Sequence, residues 1–167
     1  IFVMAAMVLG VSAAYAGDSE PLKAITKSKT YAEAEALLNS TLDQLASPQE
    51  KAKAYNKLYE LSMKDFETVS AVIAENQRAA VMKTEQQAYD TAAYYNSAYN
   101  AVKAAVECDK YDGQPDAKGK TKIAYRKDET RLQKLTQARL ELVNGGQWID
   151  GKNDEAGLLK YWGLFLE

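Results

Sequence analysis

Histidine is missing from all 167 residues of this chain. Its absence excludes His-based catalytic triads, zinc–histidine sites and the usual acid–base group that titrates near neutral pH. A single cysteine, Cys108, excludes an internal disulfide. Stability therefore has to come from packing. Cys108 itself reads as a small apolar filler at a helix end, with intermolecular pairing as the other reading. Only three Pro and nine Gly occur, which is low for an all-β protein. Ala, Leu, Lys, Glu and Gln dominate instead, and these favour helix. Charge of one sign is also scarce, with 21 basic residues against 23 acidic ones and a net charge of -2. That balance gives no electrostatic reason to expect nucleic acid, and the mixed signs argue against an anionic membrane surface.

What is present begins with an apolar run. Residues 1–16, IFVMAAMVLGVSAAYA, carry no charge, and Gly17-Asp18-Ser19-Glu20-Pro21 then turns polar. The apolar stretch is about a dozen residues long, against roughly 20 for a bilayer span. It ends in Ala14-Tyr15-Ala16, the A-x-A form that precedes signal-peptide cleavage. Residues 1–16 are therefore expected to be a secretory signal peptide cleaved after Ala16. A short buried helix or an uncleaved anchor are the competing readings. The basic leading segment of a signal is missing and the chain starts at Ile1, so a few residues are expected to precede it. Gly17 gives no support to a lipid anchor at the first mature position. The expected address is periplasmic or secreted, with no stable membrane insertion after cleavage. A mature chain of roughly 150 residues suits one domain with a real core.

Residues 17–29 are polar and expected to be a flexible N-terminal segment. Thr30-Tyr31-Ala32-Glu33 then forms a capping box, followed by Tyr31, Ala34, Leu38, Leu42 and Leu45 at helical spacing. At Ser47-Pro48, with Glu50 completing a second box, three start signals coincide. Ala52, Tyr55, Leu58, Tyr59 and Ser62 line that helix, and the short connection predicts an antiparallel hairpin. The pattern continues through Phe66, Val69, Val72, Ile73 and Ala80, with a kink or break expected near Asp65. Thr84-Glu85-Gln86-Gln87 is a third capping-box candidate and would open a helix over about residues 85–108. Its wide apolar arc, carrying Tyr94, Tyr95, Ala98, Tyr99, Val102 and Ala105, predicts neighbours on two sides.

Residues 109–127 interrupt the pattern with Asp112-Gly113, Pro115 and Gly119. Lys118, Lys120, Lys122, Arg126 and Lys127 make this segment basic, which reads either as an anion site or as a solvated loop. A helix follows over about residues 128–148, with Leu132, Leu135, Ala138, Leu142 and Gly145 on its inner line. After a turn at Asp150-Gly151-Lys152-Asn153, Asp154 caps a last helix. That helix runs to Glu167 without a stop signal, so the chain is expected to be cut within a structural unit.

The final hairpin, residues 140–167, resembles a tetratricopeptide repeat. Gly145 stands at the small crossing position of the first helix and Trp148 at an aromatic position three residues on. Gly157 matches the small residue of the second helix and Tyr161 the aromatic four residues later. Glu141, Asn144 and Leu164 depart from the family pattern. Residues 94–109 look like the second helix of an earlier repeat, and residues 30–64 could form another unit. The resemblance implies an all-α fold of antiparallel hairpins stacked as an α-solenoid over residues 30–167. It also implies an exported protein of a Gram-negative envelope and a scaffold role, with peptides or partner domains held in a groove.

Chemistry is not signalled. The carboxylates fall on solvated helix faces, no motif positions a nucleophile, and neither a metal nor a cofactor is expected. We therefore expect a non-enzymatic protein-interaction scaffold. Eleven tyrosines occur. They read as interhelical packing or as a platform for peptide or sugar rings. Asn96 and Asn100, four apart, share a helix face beside Tyr95 and Tyr99. Tyr95, Asn96, Tyr99 and Asn100 are the candidate partner-binding residues, and Gly145, Trp148, Gly157 and Tyr161 the repeat-packing set. A glycan- or small-ligand-binding module using the tyrosines is the second reading.

Overall fold

A computed structural model describes residues 17–145. These residues form five α-helices: α1 (Glu20–Lys27), α2 (Tyr31–Thr41), α3 (Pro48–Met82), α4 (Thr91–Tyr111) and α5 (Glu129–Gly145). A 3-10 turn, Leu42–Gln44, follows α2, and no strand occurs among the described residues.

The expected flexible segment at residues 17–29 is instead largely helix α1. Ser19 caps it by accepting from the Leu22 N–H, and Pro21 stands in its first turn. Leu22 and Ile25, one turn apart, are fully buried. Two tethers to α3 add to this: Ser19 N–H donates to Glu50 Oε1 at 2.6 Å, and Lys53 pairs with Asp18 at 2.5 Å. Both partners lie more than 30 positions away in the chain.

The first two capping boxes form as local chemistry dictates. Thr30 Oγ1 accepts from Glu33 N–H at 3.3 Å, and Ser47 Oγ accepts from Glu50 N–H at 3.2 Å. In both, the glutamate reaches back one residue beyond the cap. Glu33 accepts from Lys29 N–H and Glu50 from Ala46 N–H.

Helix α3 runs through Asp65 without the expected break. It has 35 residues, about 52 Å at 1.5 Å per residue. No Gly or Pro follows Pro48 within it, and buried Phe66 continues the inner face through the expected break point. A hairpin unit over residues 30–64 thus does not close at Lys64. Helix α3 alone is as long as a whole tetratricopeptide repeat, about 34 residues.

The third capping box does not form. Lys83 adopts a left-handed conformation (φ 57°) and closes α3. Its N–H bonds Ala80 O, and the Thr84 N–H bonds Ala79 O at 2.9 Å, the pattern of a Schellman cap. Asn76 then holds Gln87 through both its side-chain atoms, each at 2.7 Å. Residues 84–90 are thereby kept out of helix, and α4 starts at Thr91, capped by Asp90.

Helices α3 and α4 form an antiparallel hairpin. Phe66 stacks on Tyr94 (4.9 Å between centroids) and Tyr55 on Tyr111 (5.9 Å). The buried face of α4 is mostly small, with Ser97, Ala98, Ala101, Ala104, Ala105 and Cys108, which lets its neighbours approach closely. Helix α5 lies antiparallel to α4: Arg131 sits beside Ala105 and Asp109, while Glu141 is near Tyr94. Leu135, Ala138 and Leu142 are buried as expected, but Leu132 is 44% exposed. Arg131 occupies the inner position instead, 5% exposed, with its guanidinium 5.1 Å from the Tyr59 ring.

Candidate functional site

A groove of about 400 Å³ opens where the start of α2, the middle of α3 and the first turns of α4 meet. Helix α2 contributes Thr30, Tyr31 and Ala32; α3 contributes Ser62, Asp65 and Val69; α4 contributes Ala93, Asn96, Ser97 and Asn100. The three α3 residues are spaced i, i+3 and i+7, so one face of that helix supplies them all. Asn96 and Asn100 face them from α4 on the same principle.

Some of these polar groups are already engaged. Tyr31 Oη donates to Glu35 Oε1 at 2.7 Å, Ser97 Oγ donates to Tyr94 O at 2.7 Å, and Thr30 holds its cap. Burial, then the Glu35 hydrogen bond, pushes the Tyr31 phenol well above its ordinary range, so it remains a neutral donor. Others have no protein partner. Ser62 is 1% exposed and its Oγ makes no hydrogen bond. A buried hydroxyl left in that state costs about 1–3 kcal/mol. Among the described residues, the side chains of Asp65, Asn96 and Asn100 likewise lack a hydrogen-bond or ion-pair partner. The buried Ser62 hydroxyl thus shares one groove with three polar side chains that no other protein group occupies, Asp65 and Asn96 exposed and Asn100 half-buried.

The four candidate partner-binding residues divide. Asn96 and Asn100 line the groove. Tyr95 and Tyr99 are half-buried and pack against the core, with the Tyr95 ring 5.1 Å from that of Tyr94. Gly145 is the last residue of α5, and Trp148, Gly157 and Tyr161 lie outside the described residues. Sequence reasoning missed the α3 side of the groove. Ser62 was readable only as an inner-face residue, and Asp65 only as a break.

A second, smaller cavity of about 150 Å³ lies between the start of α3 and the connection from α4 to α5. Gln49, Lys53, Tyr111, Lys122 and Tyr125 are among its lining. Most of these make contacts within the fold: Gln49 donates to Gln114 O, Lys53 pairs with Asp18, and Tyr111 stacks on Tyr55 under Lys51. Of the five basic residues at positions 118–127, only Lys122 reaches this cavity. The connection is held by Asp112, which is 4% exposed. Its Oδ1 accepts from Ala124 N–H at 2.8 Å, and its Oδ2 from Tyr125 and Arg126 N–H, each at 2.9 Å. Burial pushes the Asp112 carboxyl up, but the three backbone donors outweigh it and hold it below the usual carboxylate range. Gly113 follows at φ +87°, where a Cβ would stand 2.7 Å from Arg126 Nη2.

Among the described residues no three His, Cys, Asp or Glu side chains cluster as metal ligands, and no helix is long and apolar enough to cross a membrane. No family model, curated protein or solved structure matches this chain.

Proposed function

We propose that this protein is a non-enzymatic interaction scaffold of the cell envelope, and that the groove between α2, α3 and α4 receives a peptide segment of a partner protein. The observation that carries this reading is the set of unpartnered groups in the groove: the Ser62 hydroxyl, the Asp65 carboxylate and the Asn96 and Asn100 carboxamides. A carboxamide both donates and accepts, so two of them one turn apart suit the alternating N–H and C=O of a peptide main chain. A peptide segment would give each of these groups a partner. The envelope address rests on residues 1–16 as an export signal. A tetratricopeptide-like continuation rests on the spacing of Gly145, Trp148, Gly157 and Tyr161.

The glycan reading needs exposed, coplanar rings. Tyr55 and Tyr111 are parallel within 6° but stack on each other, and Tyr95 packs against Tyr94. Tyr31 is the one ring among the described groove residues. The peptide reading is therefore preferred.

A photo-cross-linking residue in place of Ala93, exposed at the groove, tests it. It should capture an envelope protein through a peptide of that protein, mapped by mass spectrometry. Asn96→Ala with Asn100→Ala should remove the product. Cross-links indifferent to that double substitution, or binding seen only on a glycan array, would refute the proposal.

A further inference from the structure

We infer that the groove selects a peptide carrying an arginine, whose guanidinium pairs with Asp65. This rests on the peptide reading given above and adds a sequence preference to it. Among the described residues, Asp65 is the only charged side chain lining the groove, and no Lys or Arg lines it. Its carboxylate has no partner of its own among the described residues. The other unpartnered groups both donate and accept: the Ser62 hydroxyl one turn before Asp65, and the carboxamides of Asn96 and Asn100 across the groove. A guanidinium carries its donors in a planar fork that can meet one carboxylate through two parallel N–H bonds, which leaves the neutral groups for the peptide main chain. An ammonium is a strongly hydrated point charge without that fork, and so pairs with the same carboxylate less specifically.

The helix N-termini at the groove do not reverse the preference. The start of α2 is occupied by Thr30, with Glu33 in its first turn, and the start of α4 by Asp90. Each positive end thus has its own oxygen ligand or anion, and a carboxylate or phosphate entering the groove would meet Asp65 unneutralised. A second acid, Glu35, stands on the same side, hydrogen-bonded to Tyr31. Both features exclude an acidic occupant and favour a cationic one.

The test uses the full chain and capped seven-residue Gly/Ala peptides with arginine, citrulline or lysine at the centre. Citrulline keeps the shape of arginine and removes its charge. Binding is followed through the amide NMR signals of residues 62–69 and 93–100. The arginine peptide should bind about tenfold more tightly than the citrulline peptide, as one desolvated charge-assisted contact provides. The lysine peptide should fall between them. Asp65→Asn should erase the arginine–citrulline difference without changing the melting temperature, since Asp65 is exposed. Asn96→Ala with Asn100→Ala should weaken all three peptides alike. Equal binding of arginine and citrulline peptides in the groove would overturn the arginine preference and leave the peptide reading standing. No signal change in the groove with any peptide would overturn both. Arginine amide alone binding as tightly as the peptide would overturn the claim that the ligand is a peptide segment.

Discussion

Replacing Asp112 with asparagine tests how the long connection between α4 and α5 is held. The substitution keeps the shape of the side chain and removes one acceptor oxygen together with the charge. In the native protein, two oxygens take three backbone N–H bonds of 2.8–2.9 Å at a site only 4% exposed. In the variant, the amide NH2 faces at least one of the N–H donors of Ala124, Tyr125 and Arg126. The remaining bonds fall from the range for charged acceptors, about 1.5–3 kcal/mol, to that for neutral ones, about 0.5–1.5 kcal/mol. Summed with partial relief by water, the expected cost is about 2–4 kcal/mol. Urea unfolding at pH 7 measures it, and hydrogen exchange at residues 124–126 locates it. The pH dependence follows from the direction of the shift. The folded carboxyl titrates below the ordinary value of 3.8. Its stabilisation is therefore complete above the unfolded pKa and is lost as pH falls through the folded one. The gap between native and variant should be constant from pH 8 to about 5 and should narrow below about 4. A gap below about 0.5 kcal/mol at pH 7 would refute the reasoning, since surface substitutions reach that much. So would a gap as wide at pH 3 as at pH 7.

Three further outcomes are expected. Glu50→Ala removes the acceptor of the Ser19 and Ala46 N–H groups; the buried one is left unsatisfied, so stability should fall by about 2–4 kcal/mol in thermal unfolding and α1 should lose exchange protection first. Asp109→Ala should destabilise more than Arg131→Met. The first leaves a guanidinium buried without its ion-pair partner, whereas the second removes a cation whose Nε and Nη1 have no protein partner and leaves a carboxylate whose Oδ1 is buried but whose side chain is 37% exposed, so that water still reaches it in part. The reverse order in paired urea titrations would contradict this. Cys108 is fully buried, and burial pushes its thiol up to about 12; alkylation at pH 8 should be at least about a thousandfold slower than for a free thiol in native protein, and fast in urea.

Features written within one turn of helix were legible in the sequence, and features completed by distant residues were not. Thr30 with Glu33 and Ser47 with Glu50 could be read because both partners in each box lie three residues apart. Thr84 carries the same letters and fails, because its N–H closes the Lys83 cap and Asn76 holds Gln87. Helix α1 shows only two large apolar residues to a pattern search; what fixes it is Glu50 and Lys53, far along the chain. In α5 a hydrophobicity count chooses Leu132 for the core, yet Arg131 takes that place. The Tyr59 ring and the Ala105 carbonyl on two other helices receive its guanidinium, and neither lies near it in sequence. The groove divides along the same line. Its α4 side, Asn96 and Asn100, is a four-residue spacing and was readable. Its α3 side is not, since Asp65 acquires meaning only once α3 passes straight through it and the α3–α4 hairpin brings it opposite Asn96. A charged residue that looks like a helix break in one dimension becomes, in three, the one charge among the described residues of an otherwise neutral polar groove. For that reason Asp65, rather than the tyrosines, is the residue on which the choice of ligand turns.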